Sequence, residues 1–411
     1  MSPAKTIASK VPKLRFREFH EEWEENILWN ISDVRDGTHD SPKYISNSPY
    51  WLITSKNLTN DGKLDLSDIN YISEADYFKI NKRSWVNIGD ILFGMIGTIG
   101  NPVLLKQEWF SIKNVALIKE KKWFYNTFLI QYLKGKSIKK QFQEKNAGWT
   151  QKFLSLSVIR NLSIISPSFH EQSKIASFLS TVDEKIEKLK TKKSLLEKYK
   201  KWVMQRIFAR EIRFKDENGK EFGEWEEKKL GEVAKFSKGK WISKADIDEN
   251  GVVECIRYGE LYTTYRETIS VIKSKTNLDV QDLVLSEAND VIIPASWETE
   301  IDIATASCVL LSGIALGWDL NILKTKLNGV FLSYYLNNAK KKEIANLAQW
   351  IAVVHLYSSQ LQNLGIEIPS FPEQQKIASF LSEIDKKIES IGWEIEQAEK
   401  WKKGLLQGMF I

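Results

Sequence analysis

Ser168–Ser180 reads SFHEQSKIASFLS, and Ser370–Ser382 reads SFPEQQKIASFLS. Both copies open with Ser-x-x-Glu, the capping-box pattern. It predicts a helix start in which Ser168 or Ser370 caps and Glu171 or Glu373 reaches back to the cap. Pro372 falls in the first turn, where its missing N–H costs nothing. Downstream of the cap, apolar residues recur at alternating steps of four and three. The first copy supplies Ile175, Leu179, Val182, Ile186 and Leu189, then Leu196, Val203 and Ile207. The second supplies Ile377, Leu381, Ile384, Ile388, Ile391, Ile395, Ala398, Leu405 and Met409. This is a heptad seam in each copy.

Roughly 40 residues of helix make a rod of about 60 Å, and an apolar seam of that length needs a partner. Lys193 stands on the seam in line with Ile395, and Lys200 and Lys402 share another seam position. A parallel homodimer would set these lysines against one another. The preferred reading is therefore an antiparallel pair within one chain.

The duplication extends to the segments that lead in. Leu14-Arg15-Phe16 precedes Phe19 and Glu22-Trp23-Glu24-Glu25; Ile212-Arg213-Phe214 precedes Phe222 and Glu224-Trp225-Glu226-Glu227. Because Trp23 and Trp225 belong to the repeated frame, they are expected in shared cores rather than at a ligand. Between frame and helix lie dissimilar stretches, about Val11 to Pro167 and about Arg213 to Pro369. Runs such as Asp90-Ile91-Leu92-Phe93 and Asp290-Val291-Ile292-Ile293 read as strands among turns and short helical patterns, which gives an α+β class. Two modules in one frame with different contents suit a bipartite DNA site, whose recognition units lie about 34 Å apart on one face of the duplex.

Composition permits this reading without demanding it. The 411 residues are 43% hydrophobic and 27% charged, as expected of a globular chain long enough for two domains. A net charge of +6 makes an anionic partner plausible. Cys255 and Cys308 show no CxxC spacing, so neither a disulfide framework nor a zinc site is suggested, and a reducing cytoplasm fits. The opening MSPAKTIASKVPKLRF lacks an apolar core of signal-peptide length, and no stretch approaches the roughly 18 apolar residues of a membrane span.

Over nearly its full length the chain resembles the specificity (S) subunits of type I restriction-modification enzymes. The resemblance rests on the EQxxIAxxLxxxD segments Glu171–Asp183 and Glu373–Asp385. In the first variable region it rests on Arg35-Asp36-Gly37-Thr38-His39-Asp40-Ser41-Pro42-Lys43-Tyr44, Gly89-Asp90-Ile91-Leu92-Phe93 and Gly97-Thr98-Ile99-Gly100. In the second it rests on Arg257-Tyr258-Gly259-Glu260-Leu261-Tyr262-Thr263 and Asn289-Asp290-Val291-Ile292-Ile293-Pro294-Ala295. The resemblance implies target-recognition domains at residues 1–167 and 211–369, with long helices at 168–210 and 370–411 forming a pseudo-twofold antiparallel coiled coil. It implies a cytoplasmic subunit without catalysis or cofactor of its own. Each domain would read one half of an asymmetric split target in double-stranded DNA, while the helix pair sets the spacer and docks two modification subunits. Those partners would methylate adenine at N6 with S-adenosylmethionine, and added restriction subunits would use ATP and magnesium. A standalone DNA methyltransferase and a coiled-coil adaptor that binds no DNA are the alternatives.

Candidate chemistry is thin outside the basic and aromatic clusters. Asn47-Ser48-Pro49-Tyr50 is similar to the Asn-Pro-Pro-Tyr signature of amino-group methyltransferases, but Ser48 breaks the pattern and no glycine-rich cofactor loop accompanies it, so a turn feeding Trp51 is expected. Gly94, Gly97 and Gly100 around Thr98 suit either a packed strand turn or a loop that faces DNA; no Gly-Lys-Ser/Thr makes them a P-loop. His20, His39, His170 and His355 are scattered, and no metal site is expected. The lysine-rich run Lys185 to Lys201 reads as the wet face of a coiled coil. Candidate DNA contacts in the first module are Thr38, His39, Ser41, Lys43, Tyr44, Lys56, Asn57, Lys82, Arg83 and Thr98. In the second they are Lys238, Lys240, Trp241, Arg257, Tyr258, Tyr262, Thr263, Thr264, Tyr265 and Arg266. Lys and Arg would hold phosphates, and the polar and planar groups would meet base edges.

Overall fold

The computed structural model describes residues 10–145, 153–297, 299–350 and 354–411. Of the amino-terminal stretch read above, residues 1–9 lie outside that description. Four helices organise the chain: α1 (Asn126–Leu133), α2 (Phe169–Phe208), α3 (Gly329–Asn338) and α4 (Phe371–Met409). The chain divides into two compact units, one of residues 1–190 with 393–411 and the other of residues 191–392. The division runs through both long helices instead of falling at their starts. Each unit is a variable module completed by part of α2 and part of α4.

In the first unit a four-stranded sheet has the order Asp33–Asp36, Val115–Lys119, Ile91–Gly94, Gly100–Leu104. A three-stranded sheet has the order Asn70–Tyr71, Trp51–Thr54, Phe110–Lys113. Side chains alternate faces along a strand, and both faces of the larger sheet are used. Ile91, Phe93, Ala116 and Ile118 join Trp23, Phe128 and Leu129 in one core. Leu92, Val103, Val115 and Leu117 point the other way and meet Ile53, Phe110 and Ile112 of the smaller sheet. Ile175, Leu179, Val182 and Ile186 of α2, with Leu405 and Met409 of α4, close the first of these cores.

The second unit repeats the plan. Its five-stranded sheet sends Val291, Ile293, Cys308 and Leu323 toward Phe331, Leu332 and Trp225, and Ile292, Val309, Leu320 and Ile322 into a separate core with Ile256 and Leu316. Ile377, Leu381, Ile384 and Ile388 of α4 pack there with Val203, Ile207 and Phe208 of α2. Ile391 is buried and Leu189 is half-buried.

The two long helices run antiparallel within each unit. In the first, Phe178 meets Trp401 and Lys190 pairs with Glu399 at 2.7 Å. In the second, Lys193 lies beside Gly392 and Lys200 pairs with Asp385. Lys200 is buried, whereas most other lysines between Lys185 and Lys201 are exposed. Both frame tryptophans are core residues: Trp23 packs edge-on to Phe128 and Phe410, and Trp225 packs edge-on to Phe331.

Candidate nucleic-acid interface

The repeated peptide is a bracket that fastens each module to a long helix. The glutamate of each expected capping box turns to the lead-in segment. Arg15 donates Nε and Nη2 to the two carboxylate oxygens of Glu171 at 2.8 and 2.7 Å. Arg213 does the same for Glu373 at 3.2 and 2.9 Å. Both glutamates are 1% exposed, so a planar, bidentate cation meets each charge more fully than a helix amide could. Gln172 accepts from the Tyr125 amide at the start of α1 and donates to the Pro167 carbonyl. Gln374 accepts from the Asn328 amide at the start of α3 and donates to the Pro369 carbonyl.

The aspartate that ends the motif holds the rest. Asp183 accepts from Gln131 of α1 at 3.0 Å and pairs with Lys402. Asp385 accepts from the Tyr334 hydroxyl of α3 and pairs with Lys200, whose Nζ also reaches Glu267 at 3.1 Å. Burial and the Asp385 charge push the Tyr334 phenol up, which keeps it a donor. Two of the seam lysines that argued against a parallel dimer, Lys200 and Lys402, are thus partners of the repeated aspartates.

A second shared device lies within each module. In the first unit the Thr38 amide donates to the Ile112 carbonyl at 3.0 Å, the Gly37 amide donates to the Val115 carbonyl at 3.0 Å, and Thr38 bridges Lys113 in parallel. In the second the Lys240 amide donates to the Leu316 carbonyl at 3.1 Å, the Gly239 amide to the Leu320 carbonyl at 3.4 Å, and Lys240 bridges Gly317. A Cβ at Gly37 would overlap the Ile112 carbonyl, and one at Gly239 would overlap the Gly317 carbonyl. Only glycine lets the two strands of backbone approach this closely. Both modules therefore carry a zipped loop pair, and its side chains differ. His39 Nδ1 lies 3.0 Å from Asn114 Oδ1 in the first, where Trp241 and Trp318 pack with ring centroids 5.2 Å apart in the second.

The same duplication is visible in comparisons with known proteins. The model of the Type I restriction modification DNA specificity domain matches twice, at residues 21–198 and 223–400. The chain belongs to this family. It is 26% identical over 417 residues to the putative type I restriction enzyme MjaX specificity subunit of Methanocaldococcus jannaschii, across 96% of this chain and 94% of that one. It is 27% identical over 422 residues to the MjaVIII specificity subunit of the same organism, across 95% and 94%. Its fold matches the S subunit of a type I restriction-modification system from M. genitalium with a TM-score of 0.61 at 16% identity, covering 98% of this chain and 99% of that one.

Within the first specificity domain the structure gathers part of the expected set. Asp36 is buried; Arg83 pairs with one of its oxygens and His39 Nε2 lies 3.0 Å from the other. Lys113 Nζ donates to Ser41 Oγ at 2.6 Å, and Thr38 Oγ1 accepts from the Asp40 amide. His39 and Arg83 thus share Asp36, with Ser41 and Thr38 bonded beside them to Lys113 and Asp40, and Lys82 neighbours Arg83 at the end of the helix Glu74–Ser84. Lys43 and Tyr44 are exposed on the loop that follows. Asn57 is a correction. It is 2% exposed, accepts from the Thr54 amide, and donates to the Asp65 and Asp68 carbonyls, so its amide builds a turn and is spent inside the domain. Lys56 is tied to Asp68 at 2.8 Å. Thr98 stands in the hairpin turn between Ile91–Gly94 and Gly100–Leu104, where a Cβ at Gly94 would overlap its carbonyl, so the base of the turn is tightly packed while its tip at Ile96 and Gly97 is exposed. Tyr50 stacks on Tyr77 at 4.5 Å and donates to Glu74 at 3.0 Å, so the Asn47–Tyr50 stretch is a turn whose ring is already covered.

In the second domain Lys238 ends the strand Ala234–Lys238, and Lys240 and Trp241 follow on the zipped loop. Arg257 donates its amide to Glu260 at 2.8 Å, the counterpart of the Thr54–Asn57 turn. Tyr265 accepts from the Lys273 amide at 3.0 Å, and burial pushes its phenol up to about 12. Burial likewise pushes the Tyr262 phenol up. Tyr265 and half-buried Tyr258 lie against the core of Ile256 and Leu316. Thr263, Thr264 and Arg266 are exposed. Asn114, Lys113 and Trp318 escaped the sequence reading. The one signal for Trp318 is Gly317-Trp318 echoing Gly239-Lys240-Trp241, which gains meaning only when the strands align them.

Proposed function

We propose that this chain is the DNA-reading, non-catalytic subunit of a type I restriction-modification complex, and that each specificity domain reads one half of an asymmetric split target. The observation that carries the reading is equivalent fastening around dissimilar loops. Glu171, Gln172 and Asp183 hold one module as Glu373, Gln374 and Asp385 hold the other, while the zipped loops present different side chains. Exposed Lys43, Lys82, Lys238, Lys240 and Arg266 supply phosphate contacts. The long helices set the spacer and dock two modification subunits. Those subunits bind S-adenosylmethionine and methylate adenine at N6, restriction subunits use ATP and magnesium, and the assembly works in the cytoplasm.

Long-read mapping of N6-methyladenine in cells that express the chain with its modification subunit tests this. The expected result is a split motif with half-site centres about one helical turn apart. A continuous motif would overturn the bipartite reading, and methyl transfer to DNA by the purified chain alone would overturn the non-catalytic one.

A further inference from the structure

We propose that the side-chain pair at the zipped loops determines what each specificity domain reads: Asn114, braced by His39, presents its carboxamide to a base edge, and Trp241 with Trp318 forms an apolar wedge that enters a base step. The proposal rests on the recognition reading above and narrows it to four residues.

Equivalent backbone geometry comes first. The Gly37, Thr38 and Lys113 bonds recur at Gly239, Lys240 and Gly317, so His39 and Trp241 each follow the bridged residue, and Asn114 and Trp318 each follow its partner. The platform is rigid in both cases. A glycine permits the close approach, and the buried carboxamide of Asn57 or carboxylate of Glu260 fixes the adjoining turn by accepting the Thr54 or Arg257 amide.

What stands on the platform differs in chemistry. Trp241 is 62% and Trp318 51% exposed, although indole rings are among the largest apolar surfaces a protein can bury. Their rings are tilted by 45°, which leaves π-face open to an outside partner. Exposed Lys238 and Lys240 flank them, so the partner that fits offers aromatic faces beside negative charge, as duplex DNA does at a base step opened by an apolar wedge. At the equivalent place the first domain puts Asp36 where the second has Lys238. That carboxylate holds both His39 and Arg83, and the other imidazole nitrogen meets Asn114 Oδ1, so His39 is spent within the domain as a brace that fixes the Asn114 carboxamide in place for a base edge.

The test is selection of bound duplexes from a random library by the full chain assembled with its modification subunits. Trp241→Ala with Trp318→Ala should erase sequence preference in one half-site only and weaken binding about 10–100-fold, because the sequence-dependent cost of opening a base step is then no longer offset. Trp241→Phe with Trp318→Phe keeps flat rings and should retain the motif. His39→Ala with Asn114→Ala should alter the opposite half alone. An unchanged motif and affinity in the tryptophan-to-alanine protein would overturn the proposal and leave the recognition reading intact. Loss of both halves would overturn it as well, since the pairs would then not read separately. A wild-type assembly that enriches no motif would sink the recognition reading itself.

Discussion

Among single residues, the buried charges bear most on stability. Lys200 and Asp385 are both largely buried, with Tyr334 and Glu267 completing the set. Removing one member of a buried pair leaves an unmatched charge and costs about 3–5 kcal/mol. Lys200→Met should therefore lower the urea midpoint strongly, and adding Asp385→Leu should recover part of the loss; no recovery would mean that packing, not charge, sets the effect. Lys402 and Asp183 are the equivalent pair, but the Asp183 side chain is 37% exposed and water screens it. Lys402→Met should cost closer to 1 kcal/mol. The cysteines give a pH prediction. Cys255 and Cys308 are fully buried, and desolvation pushes their thiols up to about 11 and about 12. Between the unfolded value near 9 and those values the unfolded chain releases the proton while the folded chain keeps it, so the unfolded state binds fewer protons and stability falls as pH rises. Denaturation midpoints should decline above about pH 9, and replacing both cysteines by alanine should flatten the stretch from about pH 9 to 10, while the tyrosines that burial raises from 10.0 still lower stability above that.

At the scale of elements, the repeated helices were legible in sequence and their fastening was not. The three-four spacing of Ile175, Leu179, Val182 and Ile186 is a local pattern that survives any tertiary context, and those residues are buried as spaced. Ser-x-x-Glu is local as well, yet Glu171 answers to Arg15, 156 residues away in the chain. A bidentate arginine meets both buried oxygens, and sequence spacing contains no term for that contact. Asn57 misled for the same reason: an amide beside a lysine resembles a DNA contact, but its partners are carbonyls brought in by a turn. The bracket makes a prediction of its own. Arg15→Lys keeps the charge but loses one of two parallel hydrogen bonds, so it should destabilise the protein measurably, and Arg15→Gln should cost about 3–5 kcal/mol by leaving Glu171 buried and unpaired. If Arg15→Lys melts as the wild type does, the fork geometry is unimportant and a point charge suffices.

For the whole molecule, the brackets define what a transplanted module must supply. Exchanging Val11 to Pro167 for another such module should change one half of the DNA target and leave the other as it was. The graft must bring an arginine for Glu171, a backbone amide for Gln172, and a donor on α1 for Asp183. The second domain shows that the last requirement is chemical and not tied to one residue type, since Tyr334 does for Asp385 what Gln131 does for Asp183. A graft with alanine at that donor position should keep its sequence preference but unfold earlier, because the lost hydrogen bond lies at the helix and not at the zipped loop. Stability and specificity should therefore separate. Methylation mapping of the grafted chain reports the target, and a melting curve reports the fastening. If replacing Gln131 shifted the motif while the melting curve stayed put, the division between an invariant frame and a readable loop would be wrong.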